Sequence, residues 1–366
     1  MEFKCLSGNS EIIKKEFLKL PAALYKGEIC PQDFSTEKMI LDGTHPLSSD
    51  FSVVPLLVVD EKDEAVARGL LTFYNDDETA YLGFFECIED MEACRTLIKK
   101  AEETAWEKQK KSMVGPVDSS IWIGYRFKAF KSPELYDSKK VRPYTSEPWN
   151  KPYYTGLWEQ CGFSVWKRYY SFRLKKISEK EGKPKYVERV EQFMNRGYEF
   201  RNLDIGNFDK TIREIYDLLI ELFSSFPGYK RISYKAFYAL FHNLKLILSG
   251  KDVILIYKDE KLVAFSISVP NLYDNLSGRM NLLKILKILW IKKSPKEMVY
   301  LYMGVDPSHL GLGSVMAELI RRELYSNGRV PIKALILENK VTGAYYNDLL
   351  DESMEYVLLR KNNINI

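Results

Sequence analysis

Met298-Val-Tyr-Leu-Tyr-Met-Gly-Val-Asp-Pro-Ser-His-Leu-Gly-Leu-Gly-Ser-Val-Met-Ala-Glu-Leu-Ile320 is an apolar β-type run, a two-glycine turn and an amphipathic helical run. A strand that feeds a glycine turn and a helix start can hold a phosphate. The first N–H groups of the helix lack partners, and the dipole favours an anion there. Gly311 and Gly313 have no Cβ, so the main chain can approach a pyrophosphate closely. Gly-x-Gly alone serves equally well in a ligand-free turn, so the reading depends on where this turn falls in the chain.

Working outward, Glu297–Val305 reads as a strand and Gly313–Ser326 as a helix. Upstream, Tyr198–Leu203 reads as a strand, and helices are expected over Asp209–Leu222 and Tyr234–Leu248. Asp252–Lys258 and Lys261–Val269 flank Asp259-Glu-Lys as a hairpin, and Asn281–Trp290 is a further helix. Downstream come a strand Ile332–Glu338, a helix Thr342–Leu350 and a closing strand Glu355–Arg360. The first half follows a similar order. Ser10 can cap a helix opened by Glu11, residues 30–50 read as a loop, and Phe51–Val59, Ala65–Tyr74 and Thr79–Cys87 form an antiparallel meander. Asp90 caps a helix over Met91–Lys110. A strand Ser112–Val117, an irregular stretch 118–150, a helix ending at Cys161 and a strand Ser164–Leu174 follow. Lys175–Lys185, rich in Lys, Glu, Ser, Gly and Pro, reads as the linker.

At 366 residues the chain is longer than one typical core supports. A net charge of +4, from 54 basic and 50 acidic residues, is too balanced to imply nucleic acid. Five scattered cysteines and three distant histidines show no metal-type spacing, so no metal is expected and the thiols read as reduced. No signal core and no uncharged apolar run of about 18 residues stand out, which predicts a cytoplasmic protein without a membrane span. The apolar, lysine-bearing run from Asn281 to Lys293 has two readings, a membrane-surface helix or a helix packed between domains with its lysines outward. The second is preferred because the run is short and lies inside a domain.

The order of elements, with the glycine turn after the fourth strand of the second half, resembles the GNAT superfamily of N-acetyltransferases. Val305-Asp-Pro307, Gly313, Asn339 after the fifth strand and Tyr346 seven residues later carry the resemblance. Gly83-Phe-Phe-Glu, Val114-Gly-Pro, Asn150-Lys-Pro-Tyr-Tyr, Cys161-Gly-Phe and Ala317-Glu-Leu-Ile-Arg-Arg are similar to segments of bacterial tandem GNAT-like proteins. The resemblance implies an α+β chain of two tandem GNAT-like domains, 1–178 and 179–366. Each is a mixed, mostly antiparallel sheet flanked by helices. It implies acetyl-CoA, or another acyl-CoA, as co-substrate, held in the second domain by Val305, Leu310, Gly311, Leu312, Gly313, Ser314, Val315 and Asn339. Tyr346 would protonate the leaving thiolate, with Tyr345 as the neighbour to confuse with it. Leu310 stands where the family has Gln or Arg, and Val315 where it has Gly or Ala.

The first domain is degenerate in this reading. Glycine is absent after its strand Thr79–Cys87, acidic Glu86, Glu89 and Asp90 there would repel a pyrophosphate, and Trp158 replaces the tyrosine. The implied function is acyl transfer to a small-molecule or peptide amine between the domains. The alternative is a non-catalytic acyl-CoA-binding protein. Aminoacyl transfer from charged tRNA is a third reading, which the modest charge does not favour. Glu297, Tyr300, Tyr302 and Glu338 are open candidates for a general base, and a homodimer is left open.

Overall fold

The computed structural model describes residues 2–131, 142–276 and 282–362. The centre of the 118–150 stretch and Asn281, the expected start of the insert helix, lie outside the described residues.

The first half runs β1 (Lys4–Ser7), α1 (Glu11–Leu24), α2 (Phe34–Leu41), β2 (Ser52–Val59), β3 (Ala65–Phe73), β4 (Thr79–Cys87), α3 (Met91–Glu107), β5 (Ser112–Gly115), β6 (Phe127–Ala129), α4 (Tyr154–Gln160) and β7 (Ser164–Leu174). The second runs α5 (Pro184–Asn195), β8 (Tyr198–Asn202), α6 (Phe208–Leu222), α7 (Tyr234–Phe241), β9 (Val253–Lys258), β10 (Lys261–Pro270), α8 (Leu282–Lys293), β11 (Glu297–Val305), α9 (Leu312–Asn327), β12 (Val330–Leu337) and β13 (Leu350–Asn362). The meander β2–β3–β4 and the hairpin β9–β10 form as their alternating patterns and tight turns require.

All the described strands join one sheet, in the order β1-β2-β3-β4-β5-β13-β7-β12-β11-β10-β9-β8, with β6 beside β13. Among the described strands only β4–β5 and β11–β12 pair in parallel. The last strand of each half is exchanged. β13 pairs with β5 of the first half, and β7 pairs with β12 of the second. The two exchanged strands then run antiparallel to each other from Leu350↔Leu174 to Arg360↔Ser164. Aromatic side chains seal this seam. Tyr169 and Tyr356 are fully buried, Tyr356 Oη donates to Glu147 Oε1 (2.6 Å), and Tyr144 Oη and Ser171 Oγ lie 2.7 Å apart.

Three expectations are corrected. The stretch 30–50 contains helix α2, capped by Asp33, whose Oδ1 accepts from Ser35 and Thr36 N–H (both 3.1 Å). The linker runs directly into helix α5, whose apolar residues Tyr186, Val190 and Phe193 recur at helical spacing after Pro184 at the first turn. The expected helix Thr342–Leu350 is absent. Two single 3₁₀ turns, Val341–Ala344 and Asn347–Leu349, flank Tyr345 in extended and Tyr346 in left-handed conformation (φ 53°). Lys333 Nζ donates to the carbonyls of Gly343 (2.9 Å) and Tyr345 (2.8 Å), which removes two acceptors a helix would use.

The strand exchange makes each half's sheet depend on the other. The whole chain is therefore expected to unfold in one cooperative transition. Fragments 1–178 and 179–366 made separately are expected to lack dispersed amide resonances. Two independently folded fragments would contradict the exchange.

Candidate functional site

β11 and β12 pair only from Glu297↔Val330 to Tyr300↔Lys333. Beyond that point the strands part. β12 slips register against β7 between Lys333 and Ile336, where Leu335 has φ 58°. β11 then enters a turn closed by Asp306, whose Oδ1 accepts from Ser308 N–H (2.9 Å) and Oγ–H (2.6 Å). His309 Nδ1 meets Tyr198 Oη at 2.7 Å. Gly311, with φ 99°, turns the chain into α9 in a conformation few other residues adopt. Leu312 and Ser314 N–H donate to the carbonyls of His309 and Gly311, whereas Gly311 and Gly313 N–H find no backbone acceptor in the turn. No side chain caps α9, so its N-terminal amides and dipole are available to an anion.

Helix α5 walls this turn. Arg189 Nη1 donates to Ser314 Oγ (2.7 Å), and the Phe193 ring lies beside Gly311. A Cβ on Gly313 would fall 2.3 Å from Tyr345 Oη, so the approach that requires glycine there is made by the Tyr345 hydroxyl. Val315 is buried with Leu312 among Val190, Phe193 and Ile254, so its branched side chain faces the helix–sheet core. Leu310 is 86% exposed beside the turn and gives it no charge.

A cavity of about 540 Å³ occupies the gap where β11 and β12 part. Met303 and Val305 line it from β11, Ile336 and Leu337 from β12, and Ala317 from α9, while Tyr125 and Arg126 of the first half close its far side. Tyr345 and Tyr346 both reach this cavity, in different states. Tyr346 is buried, and its Oη donates to Glu318 Oε2 (3.0 Å). Burial, and then this carboxylate, push its hydroxyl pKa well up. Burial opposes ionisation of Glu318, but hydrogen bonds from Arg321, Arg322 and Tyr346 outweigh it and hold its carboxyl low. The Tyr346 hydroxyl is thus committed to α9. Tyr345 is half-buried, its Oη makes no hydrogen bond among the described residues, and burial raises its pKa. Lys333, which lines the same cavity, anchors this segment, and burial, with Lys183 adding to it, lowers its ammonium pKa to about 8.

Asn339 is exposed at φ 64°, a turn conformation that asparagine tolerates, and it does not line the cavity. Of the base candidates, Glu297 is engaged by Arg173, by Asn271 Nδ2 (2.7 Å) and by Tyr273 Oη (3.0 Å). Glu338 lies outside the cavity, accepting from Arg168 N–H (3.4 Å). Tyr300 and Tyr302 line the cavity, and burial holds the Tyr302 hydroxyl at about 12. Arg189, Lys333 and the free Tyr345 were not singled out as site residues from the sequence. The helical spacing of α5 was the available signal for Arg189, and nothing local marks Lys333.

The equivalent place in the first half is filled by the protein itself. Asp90 Oδ1 caps α3, accepting from Glu92 (2.8 Å) and Ala93 (3.0 Å) N–H, so the amides an anion would use already hold a carboxylate. Trp158 is fully buried against β5, packed on Phe85, Phe127 and Phe163 at centroid distances of 5.3, 5.2 and 4.6 Å. A neighbouring cavity of about 460 Å³ is lined by Glu86 and Asp118, with Arg68 held bidentately by Glu37 (2.7 and 2.9 Å). Burial raises the carboxyls of Glu86 and Asp118 to about 7 each.

No protein-family model matches this chain, and no curated protein matches it. Solved structures do. A tandem GNAT protein from the clavulanic acid biosynthesis pathway superposes with a TM-score of 0.53 at 12% identity, over 100% of this chain and 99% of that one. The fold is a tandem GNAT fold. A glucosamine N-acetyltransferase region in a fungal multi-domain β-N-acetylglucosaminidase gives 0.53 at 11% identity, covering 98% of this chain and 38% of the other. A conserved Enterococcus faecalis V583 protein described as a probable N-acyltransferase gives 0.51 at 8% identity, over 100% and 73%. In GNAT terms, β11, α9 and β12 are the fourth strand, the helix after it and the fifth strand of the second repeat.

Two outcomes follow from this geometry. Gly313→Ala sets a methyl against the Tyr345 hydroxyl, the far end of a side chain that can shift, and is expected to cost under about 1 kcal/mol once the gain of Ala over Gly in a helix is counted. The double variant Gly313→Ala with Tyr345→Ala should recover most of that loss in a denaturant titration, and no recovery would refute the contact. Glu86 and Asp118 keep protons in the fold that they lose near pH ~4 when unfolded. Between about pH 4 and 7 the folded state therefore binds more protons, so their contribution to stability is present below that window and is lost as pH rises through it. Thermal melts at pH 5 and pH 8 should differ less for Asp118→Asn than for the parent chain.

Proposed function

We propose that the chain is an acyl-CoA-dependent N-acyltransferase with its donor site in the second half. The observation that carries this reading is the uncapped N-terminus of α9 beside one cavity that fills the β11–β12 gap and reaches the first half. The residues fit an acyl-CoA. The Gly311 and Gly313 amides suit a pyrophosphate, with Arg189 close by as the cation that Leu310 does not provide. The parted edges of β11 and β12 offer unpaired backbone groups to the amides of a pantetheine arm. The thioester supplies an activated acyl group, and the chain's part is to orient it and donate a proton to the departing sulfur. Tyr345 suits that role better than Tyr346, because its hydroxyl is free and lies in the same cavity. The acceptor amine would enter from the side of Tyr125 and Arg126, between the halves.

Free-thiol release from acetyl-CoA over a panel of amines tests this reading. Tyr345→Phe is expected to lower kcat about 10²-fold, the usual weight of one acid–base group, with acyl-CoA affinity changed less than about 2-fold. Tyr346→Phe should act through stability, costing about 1–3 kcal/mol by leaving the buried Glu318 short of a donor. An unchanged rate in Tyr345→Phe removes it as the acid. A second reading, a non-catalytic acyl-CoA-binding protein, is favoured by one observation: neither Glu297 nor Glu338 offers a free base to the cavity. Acetyl-CoA binding with no turnover across the panel selects that reading.

A further inference from the structure

Helix α8 does not pack between the halves. None of its residues is buried, and the apolar side is turned to solvent. Leu282, Leu286 and Leu289 form a row at i, i+4 and i+7, flanked by Leu283, Ile285 and Trp290, and all six are exposed, Leu283 at 77% and Trp290 at 73%. The half-covered side is Lys284, Ile288 and Ile291, again at i, i+4 and i+7. The helix is thus mounted with its larger apolar face outward, the reverse of an ordinary surface helix. Lys287 and Lys293 are exposed beside that face, and Lys292 is fixed at its edge, its Nζ donating to Leu246 O (2.7 Å). The helix contains no Asp or Glu.

We infer that α8 is a docking helix for an anionic membrane surface. Six outward apolar side chains, one a tryptophan, supply the part that enters the headgroup–acyl boundary. The lysines would lie level with acidic headgroups, and no acidic side chain on the helix opposes them. A second copy of the chain is a poorer occupant. A two-fold contact through this face sets lysines against lysines, and a 12-residue helix is about 18 Å long, a footprint far below the ~800 Å² per partner of a stable interface. At that length the helix can lie on a bilayer and not cross it; among the described residues no helix is long and apolar enough to span. The site is separate from the β11–β12 cavity and does not depend on acyl transfer.

Flotation with lipid vesicles tests the inference on the full chain. Vesicles of phosphatidylcholine containing about a third phosphatidylglycerol should carry up at least ~10-fold more protein than phosphatidylcholine alone, and salt near 0.5 M should reduce the difference. Leu286→Asp and Trp290→Asp, both at exposed positions, should abolish flotation while leaving the melting temperature and circular dichroism unchanged. Lys287→Gln with Lys293→Gln should lower flotation to the neutral-vesicle level. No flotation on either vesicle overturns the proposal, as does equal flotation on both or flotation that ignores the α8 substitutions. A concentration-dependent dimer that is lost in Leu286→Asp, without vesicle binding, assigns the face to a second copy and equally overturns it.

Discussion

β12 cannot stay in register with both of its neighbours. It begins as the parallel partner of β11, then follows β7, the strand contributed by the other half. Its slip at Leu335 separates it from β11 after four paired residues. A parallel pair normally lies buried between helices with its ladder complete. Here the ladder stops, and the opening is kept by side chains from α9, the first-half loop at Tyr125 and Arg126, and the turn carrying Tyr345. The strand exchange therefore does two things at once. It fuses two repeats into one sheet, and it holds open the gap on which the proposed chemistry depends.

The two repeats show how small changes decide whether such a gap is usable. In the first, Asp90 places a carboxylate over the α3 amides and Trp158 fills the space beside β5. In the second, Gly311 leaves the α9 amides uncapped, and tyrosines replace the tryptophan plug with a wall. The first half also buries two acidic groups beside this place. Glu86 and Asp118 sit where burial favours their protonated forms, a poor setting for an anionic phosphate.

Much of this was legible in the sequence because its physical causes are local. The meander, the β9–β10 hairpin and the strand–Gly-x-Gly–helix unit are set by alternation, turn residues and glycine, and all formed. What the sequence hid was non-local. The exchange of β7 and β13 leaves no mark in either strand, since both alternate as any sheet strand would. The helix expected over Thr342–Leu350 has adequate local pattern, yet Lys333, ten or more residues away, takes its carbonyls. That contact turns Tyr346 to Glu318 and leaves Tyr345 free, a distinction no spacing argument could make. The burial of Val315 against α5 could not be read without the position of that helix. For α8 the pattern of apolar and basic residues was plain, but which side faced outward was not.

In the proposed function the α9 N-terminus, and not its first-half counterpart, holds the diphosphate of a CoA thioester. Calorimetric titration with CoA tests it most directly, comparing the parent chain with Leu310→Asp, a change at an exposed residue beside the turn that adds a negative charge. The account predicts one CoA per chain and affinity weakened about tenfold in the variant, near the ~1.4 kcal/mol that one close like charge can contribute at a partly exposed site. Two CoA per chain, no binding, or an affinity indifferent to Leu310→Asp would contradict it.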